Sequence, residues 1–312
     1  MLDLLKIFAG LALLYYGGDF LITGSARLAR FLKLSSFVIG ATVIAFGTSA
    51  PELAVAILAA LDKSPELAMG NVIGSNIANI GLVLGLTALI APIVITPIRI
   101  KREYPPLFIT TLIIIILAWD LKIHRPEGVV MFSLLIIYVW RSLNHKEGFA
   151  ATQENLELFT YKDINNQLLL VSGGLIGLVV GAKLLVSGGV SIARMIGMSE
   201  WFIGITIVAI GTSLPEIVSS IIAARRGHAE MAIGNIFGSN IFNILMVLGI
   251  TSIIHPLNIQ EPIHPDLFTS IGITSLLLVL ILLGKYNLRK ISGIVLLLTY
   301  CLYIILKGIG YI

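Results

Sequence analysis

The stretch FGTSAPELAV, residues 46–55, sets a proline and then a glutamate inside a run that otherwise reads as a membrane span. It recurs as IGTSLPEIVS at residues 210–219, so that Glu52 and Glu216 stand 164 positions apart. Aligned at that offset, Val38 to Ile57 and Phe202 to Ile221 agree at 10 of 20 positions, and GNVIGSNIAN (70–79) agrees with GNIFGSNIFN (234–243) at 7 of 10. Self-similarity at a fixed offset marks internal duplication, and in membrane transporters the two copies commonly meet around a shared site.

Composition sets the solvent. With 57% hydrophobic residues, 12% charged residues and a mean hydropathy of +0.99, the 312 residues lie outside the range of a soluble domain. Apolar runs long enough for helical spans are plentiful and alternating apolar and polar strands are absent, which favours a helical bundle over a β-barrel. The formal charge of +4 is then a matter of loops and topology, not of nucleic acid. The single Cys301 excludes an intramolecular disulfide or a thiolate metal site and reads as a small packing residue. The N-terminus resembles a signal peptide, but Gly10, Gly17 and Gly24 repeat as Gly174, Gly181 and Gly188, so the first span is read as retained.

The predicted spans are 4–24, 38–61, 67–95, 105–119 and 127–140, then 167–187, 201–224, 231–254, 267–284 and 291–306. The fold class is therefore an all-α polytopic membrane protein of ten transmembrane helices. An odd number per copy makes them two inverted five-helix repeats: residues 1–140 with a motif at 38–79, a cytoplasmic linker at 141–166, and residues 167–312 with a motif at 202–243. The fourth and fifth spans are short, which leaves a re-entrant hairpin open there. One side of this arrangement holds 14 of the 21 basic residues, Arg99, Lys101, Arg102, Arg225 and Arg226 among them, and by the positive-inside rule it is cytoplasmic. Both termini then lie outside a multi-pass protein of the plasma membrane.

A charged carboxylate at membrane depth is costly unless a cation faces it, and no lysine or arginine occurs inside the second, third, seventh or eighth spans. Pro51 and Pro215 have no N–H to donate, so the carbonyls of Gly47 and Gly211 lose their helical donors and each helix is expected to kink or break beside Thr48, Ser49 and Glu52. Asn71, Ser75 and Asn79 share one helix face, as do Asn235, Ser239 and Asn243. Gly70 with Gly74, and Gly234 with Gly238, suit close helix approach. Two carboxylates, hydroxyls, amide oxygens and freed carbonyls are hard oxygen donors, suited to Ca²⁺ or Na⁺ and not to soft metals. The histidines, His124, His145, His228, His255 and His264, fall in loops or at span edges. Asp19 and Lys183 read as snorkelling near span ends.

The paired GTS-x-PE and GN-x-x-GSN-x-x-N blocks resemble the two α-repeats of the sodium/calcium exchanger family, in its minimal prokaryotic and archaeal form, across essentially the whole chain. The resemblance implies a transporter and not an enzyme, with transported Ca²⁺ and Na⁺ in place of any cofactor, the lipid bilayer as surroundings, no nucleic acid, and a monomer as a sufficient unit. It implies that Glu52 and Glu216 bind Ca²⁺ and Na⁺ in competition. The carbonyls of Ala45 and Ala209, the oxygens of Thr48 and Thr212, and the hydroxyls of Ser49, Ser213, Ser75 and Ser239 would complete flanking sodium sites, with Asn79 and Asn243 at the centre. Several relatives, potassium-dependent ones included, carry aspartate at the position of Asn243, so potassium co-transport is not expected here. The nearest alternative is a calcium/proton antiporter of the same superfamily. An intramembrane hydrolase lacks its motifs, and a passive channel would show no strict exchange.

Overall fold

The structure is a computed structural model describing residues 2–144, 161–197, 209–260 and 263–309. Most of the expected linker and residues 202–208 of the second motif lie outside the described residues, as do His145 and Lys146. Among the described residues the secondary structure is helical apart from four two-residue strands. Among the described residues seven helices are long and apolar enough to cross a membrane, or eight if Ser36–Thr48 and Ala50–Leu61, bent by 41°, form one broken span.

Two long helices, Leu2–Leu32 and Tyr161–Met195, pack against each other along their length. Their glycines, spaced by seven, allow it: a Cβ at Gly17 would stand 2.8 Å from the backbone nitrogen of Leu178, and one at Gly174 would stand 2.5 Å from that of Leu21. Small residues bring helix backbones into contact where lipid offers no hydrophobic drive for association. Thirty-one residues at about 1.5 Å each exceed a hydrocarbon core of about 30 Å, so the first helix must tilt or project.

The centre belongs to Pro65–Ile90 and Ala229–Ile254, whose most apolar stretches are 72% and 89% buried. Both are α-helices interrupted by π-helical turns, at Asn79–Leu84 and Asn243–Leu248, and a third π turn occupies Gly40–Ile44. Gly234 and Gly238 hold the second central helix against the segment that begins at Ser36: a Cβ at either would lie 2.4 Å from the Phe37 carbonyl oxygen or 2.6 Å from Ala41. No described atom comes within 4 Å of a Cβ at Gly70 or Gly74, whose expected partner segment lies largely outside the described residues.

The helices Arg125–Asn144, His264–Leu283 and Lys290–Gly308, of 20, 20 and 19 residues, are among the seven, whereas Pro97–Leu117 has the length, 21 residues, but carries Arg99, Lys101, Arg102 and Glu103 near its start and is not among them. The fourth helix begins eight residues before the expected span, and Arg99 sits in its first turn instead of in a loop. Arg99 can be buried there because its guanidinium stacks over Phe37 at 5.2 Å and lies 3.4 Å from Glu230. Cys301 is exposed on the last helix and does not serve as a packing residue.

Strand β1 (Ile93–Val94) pairs antiparallel with β4 (Asn287–Leu288), and β2 (Lys122–Ile123) with β3 (Leu257–Asn258). Adding 164 to Ile93 and Ile123 gives Leu257 and Asn287, so each pair is the counterpart of the other with the halves exchanged.

Candidate functional site

Each GTS-x-PE block contains a helix break. Ser49 (φ −83°, ψ 0°) separates Ala45–Thr48 from Ala50–Leu61, and Ser213 (φ −87°, ψ 2°) separates Ala209–Thr212 from Leu214–Arg225. Pro51 and Pro215 occupy the opening turns of the new helices, where a missing N–H costs nothing. Glu52 and Glu216 follow in the same turns, so the positive end of a helix dipole lies beside each carboxylate. Both side chains are buried, 1% and 0% exposed.

The central helices supply the opposite wall. The Thr48 hydroxyl lies 3.3 Å from Ser239 Oγ and donates to Asn235 Oδ1 at 3.3 Å, tying the first break to the second central helix. It also reaches the Ala45 carbonyl at 3.4 Å, which accepts from the Ser49 N–H as well. The Asn235 amide donates to Ser219 Oγ at 3.1 Å and Ser220 Oγ at 3.0 Å. At its counterpart the sequence has Val55 and Ala56 in place of those serines, and Asn71 donates instead to the Glu52 backbone carbonyl at 3.3 Å.

Several of the expected ligand atoms are buried without a partner. Among the described residues no hydrogen-bond partner serves Ser49 Oγ, Ser213 Oγ, Glu52 Oε2, either Glu216 carboxylate oxygen, Asn79 Oδ1 and Nδ2, or Asn243 Oδ1, all of them buried. Burying one such group without a partner costs about 1–3 kcal/mol and more for a charged one, so an assembly of this size requires a ligand or water. Seven of these eight atoms are oxygens, the donor set of a hard cation.

Of the remaining expected ligands, Ser75 is buried on the same central helix as Asn79, while Thr212 and Ala209 lie on the short helix before the second break. Asn76 and Asn240, which sequence reasoning passed over, join the two central helices: each side-chain amide donates to the other's backbone carbonyl, at 3.1 and 3.2 Å. Their signal was present in GSN-x-x-N, where one asparagine stands three residues before the other. Asn243 Nδ2 donates to Asn76 Oδ1 at 3.1 Å. Asp19 is not merely snorkelling, since Arg226 donates to its carboxylate across the bundle.

Comparison with known proteins follows the same pattern. The family described as sodium/calcium exchanger protein matches residues 3–144 and 166–308. The chain belongs to the sodium/calcium exchanger family. It is 30% identical over 348 residues to the sodium/calcium exchanger MaX1 of Methanosarcina acetivorans, covering 97% of each chain. It is 40% identical over 307 residues to the uncharacterized membrane protein MJ0091 of Methanocaldococcus jannaschii, covering 95% of this chain and 94% of that one. The solved structure of the sodium-calcium exchanger NCX_Mj soaked with 10 mM Na⁺ and zero Ca²⁺ superposes with a TM-score of 0.86 at 35% identity, covering 97% of this chain and 98% of that one. As a member of this family the chain is a multi-pass transporter and not an enzyme.

Proposed function

We propose that the chain is a secondary antiporter exchanging Na⁺ for Ca²⁺, with the ions bound between the two helix breaks. The observation that carries the reading is the set of buried, unpartnered oxygens on the two broken helices and the two central helices, the Glu52 and Glu216 carboxylates among them. One Ca²⁺ neutralises the two carboxylates, and several Na⁺ do the same while using the hydroxyls and amide oxygens nearby. In this reading Glu52, Glu216, Asn79 and Asn243 form the centre. Ser49, Ser213, Thr48, Thr212, Ser75, Ser239 and the carbonyls of Ala45 and Ala209 form the flanks.

Ten helices in two inverted repeats supply the machinery. The 164-residue offset carries Ala50–Leu61 onto Leu214–Arg225 and Pro65–Ala78 onto Ala229–Phe242, and it carries each interstrand pair onto the other. Five helices per repeat invert the second, placing the basic side in the cytoplasm and both termini outside. Alternating access follows when the two glycine-packed long helices move against the central four spans. The empty site, with two uncompensated charges, resists that move, so transport is obligatory exchange. Equilibrium binding of ⁴⁵Ca²⁺ to purified protein tests the reading: Na⁺ should displace Ca²⁺ cooperatively, and Ca²⁺ binding indifferent to Na⁺ would overturn it.

A further inference from the structure

The offset that relates Glu52 to Glu216 also relates Asp19 to Lys183 and Asp62 to Arg226. Arg226, one residue beyond the helix Leu214–Arg225, donates from its guanidinium to Asp19 and to the Thr23 hydroxyl on the helix Leu2–Leu32. The counterparts are Asp62, one residue beyond Ala50–Leu61, and Lys183 on Tyr161–Met195, with Ser187 in the place of Thr23. Both signs are reversed between the two pairs, so attraction is retained in each. Only one pair is closed: Asp62 and Lys183 are both exposed, and among the described residues neither has an ion-pair partner.

We propose that Asp19–Arg226 and Asp62–Lys183 are alternating ion locks at opposite ends of the bundle, the first closed in this state and the second closing when the site opens to the other side. The inference rests on the inverted-repeat, alternating-access reading above. If the halves are inverted copies, the opposite state is reached by exchanging their conformations. A contact now made between the first long helix and the second broken helix is then made between the second long helix and the first broken one. Asp62 and Lys183 are the residues that this exchange brings together.

The two locks are not equal. The guanidinium fork engages a carboxylate and a hydroxyl at once, whereas the Lys183 ammonium acts as a point charge. That difference favours the state in which Asp19–Arg226 is closed. Neither pair touches the carboxylates of the ion site, so both act on the conformational step.

Charge reversal tests the proposal in proteoliposomes. Lys183→Asp and Asp62→Lys each set like charges at the outer lock and should slow Na⁺-driven Ca²⁺ exchange by about twofold to fivefold, the range of an exposed ion pair. The double variant Asp62→Lys with Lys183→Asp should return toward the wild-type rate. Lys183→Gln, which removes the charge without repulsion, should slow exchange less and covers a reversal that fails to fold. Equilibrium ⁴⁵Ca²⁺ binding should match the wild type in all of them. Single reversals at the wild-type rate, a double variant no faster than either single, or wild-type exchange by Lys183→Gln would overturn the locks. Absence of Na⁺-sensitive Ca²⁺ binding by the unmutated protein would instead count against the ion-site reading itself.

Discussion

Asn76 and Asn240, 164 positions apart, each donate a side-chain amide hydrogen bond to the other's backbone carbonyl, at 3.1 and 3.2 Å. The exchange is reciprocal between two positions that the 164-residue offset relates. It sits one turn before Asn79 and Asn243, where both helices widen into π turns. Inserted π turns often occur at functional sites, because they shift the side chains that follow out of the regular α register.

Replacing either asparagine by leucine keeps the volume and removes the amide. Asn76→Leu and Asn240→Leu should each destabilise the protein in detergent by about 1 kcal/mol, the net worth of one buried hydrogen bond, since each carbonyl keeps its helical backbone donor. Asn76→Leu should in addition impair exchange, because Asn243 loses the acceptor that fixes its amide. Thermal unfolding and initial rates of exchange check both, and unchanged stability would show that the join is not a structural one.

Glu52→Gln and Glu216→Gln preserve shape and remove a charge from a buried site. Each should lower Ca²⁺ exchange by roughly a hundredfold or more, as expected when one partner of a buried charge interaction is lost. Both variants should remain inserted and monodisperse. Near-normal exchange by either would remove that residue from the site.

A proton and a metal ion compete for the same carboxylate oxygens, so acid should act as a competitive inhibitor. Raising the proton concentration from about pH 8 to about pH 5 should shift the half-saturating Ca²⁺ concentration upward while leaving the number of sites unchanged. Isothermal titration at fixed ionic strength measures it. Affinity constant over that range would contradict ion binding at the carboxylates.

The motif spacing made the central part of the site legible. Pro51 and Pro215 announced the breaks because a proline removes a donor wherever it stands, and Glu52 and Glu216 stood out because membrane depth makes any carboxylate conspicuous. The π turns left no comparable mark: Asn79–Leu84 and Asn243–Leu248 have no proline, and their register depends on packing against other helices. Arg99 was misread as a loop residue because the ring that covers it, Phe37, and one of its carboxylate partners, Glu230, are distant in sequence, although Glu103 lies one helical turn on. The pairing of Asp19 with Arg226 was hidden for the same reason, as 207 positions separate them.

Asn243→Asp tests the charge count. With two carboxylates, exchange of three Na⁺ for one Ca²⁺ moves one net charge, worth about 2.3 kcal/mol per 100 mV. Wild-type exchange should therefore reverse at a voltage set by the ion gradients, without a need for potassium. The third acid in Asn243→Asp should make exchange more pH-dependent, because its ionisation is resisted by the two neighbouring carboxylates. Voltage-independent wild-type flux, or an absolute potassium requirement, would show the count to be wrong.

The most direct test is Ca²⁺ uptake by proteoliposomes loaded with Na⁺ and diluted into Na⁺-free medium, with the pH gradient collapsed by an ionophore. Exchange at the Glu52–Glu216 site predicts uptake that follows the outward Na⁺ gradient and persists with no pH gradient. Uptake that followed an imposed pH gradient and ignored Na⁺ would contradict it and identify a calcium/proton antiporter instead.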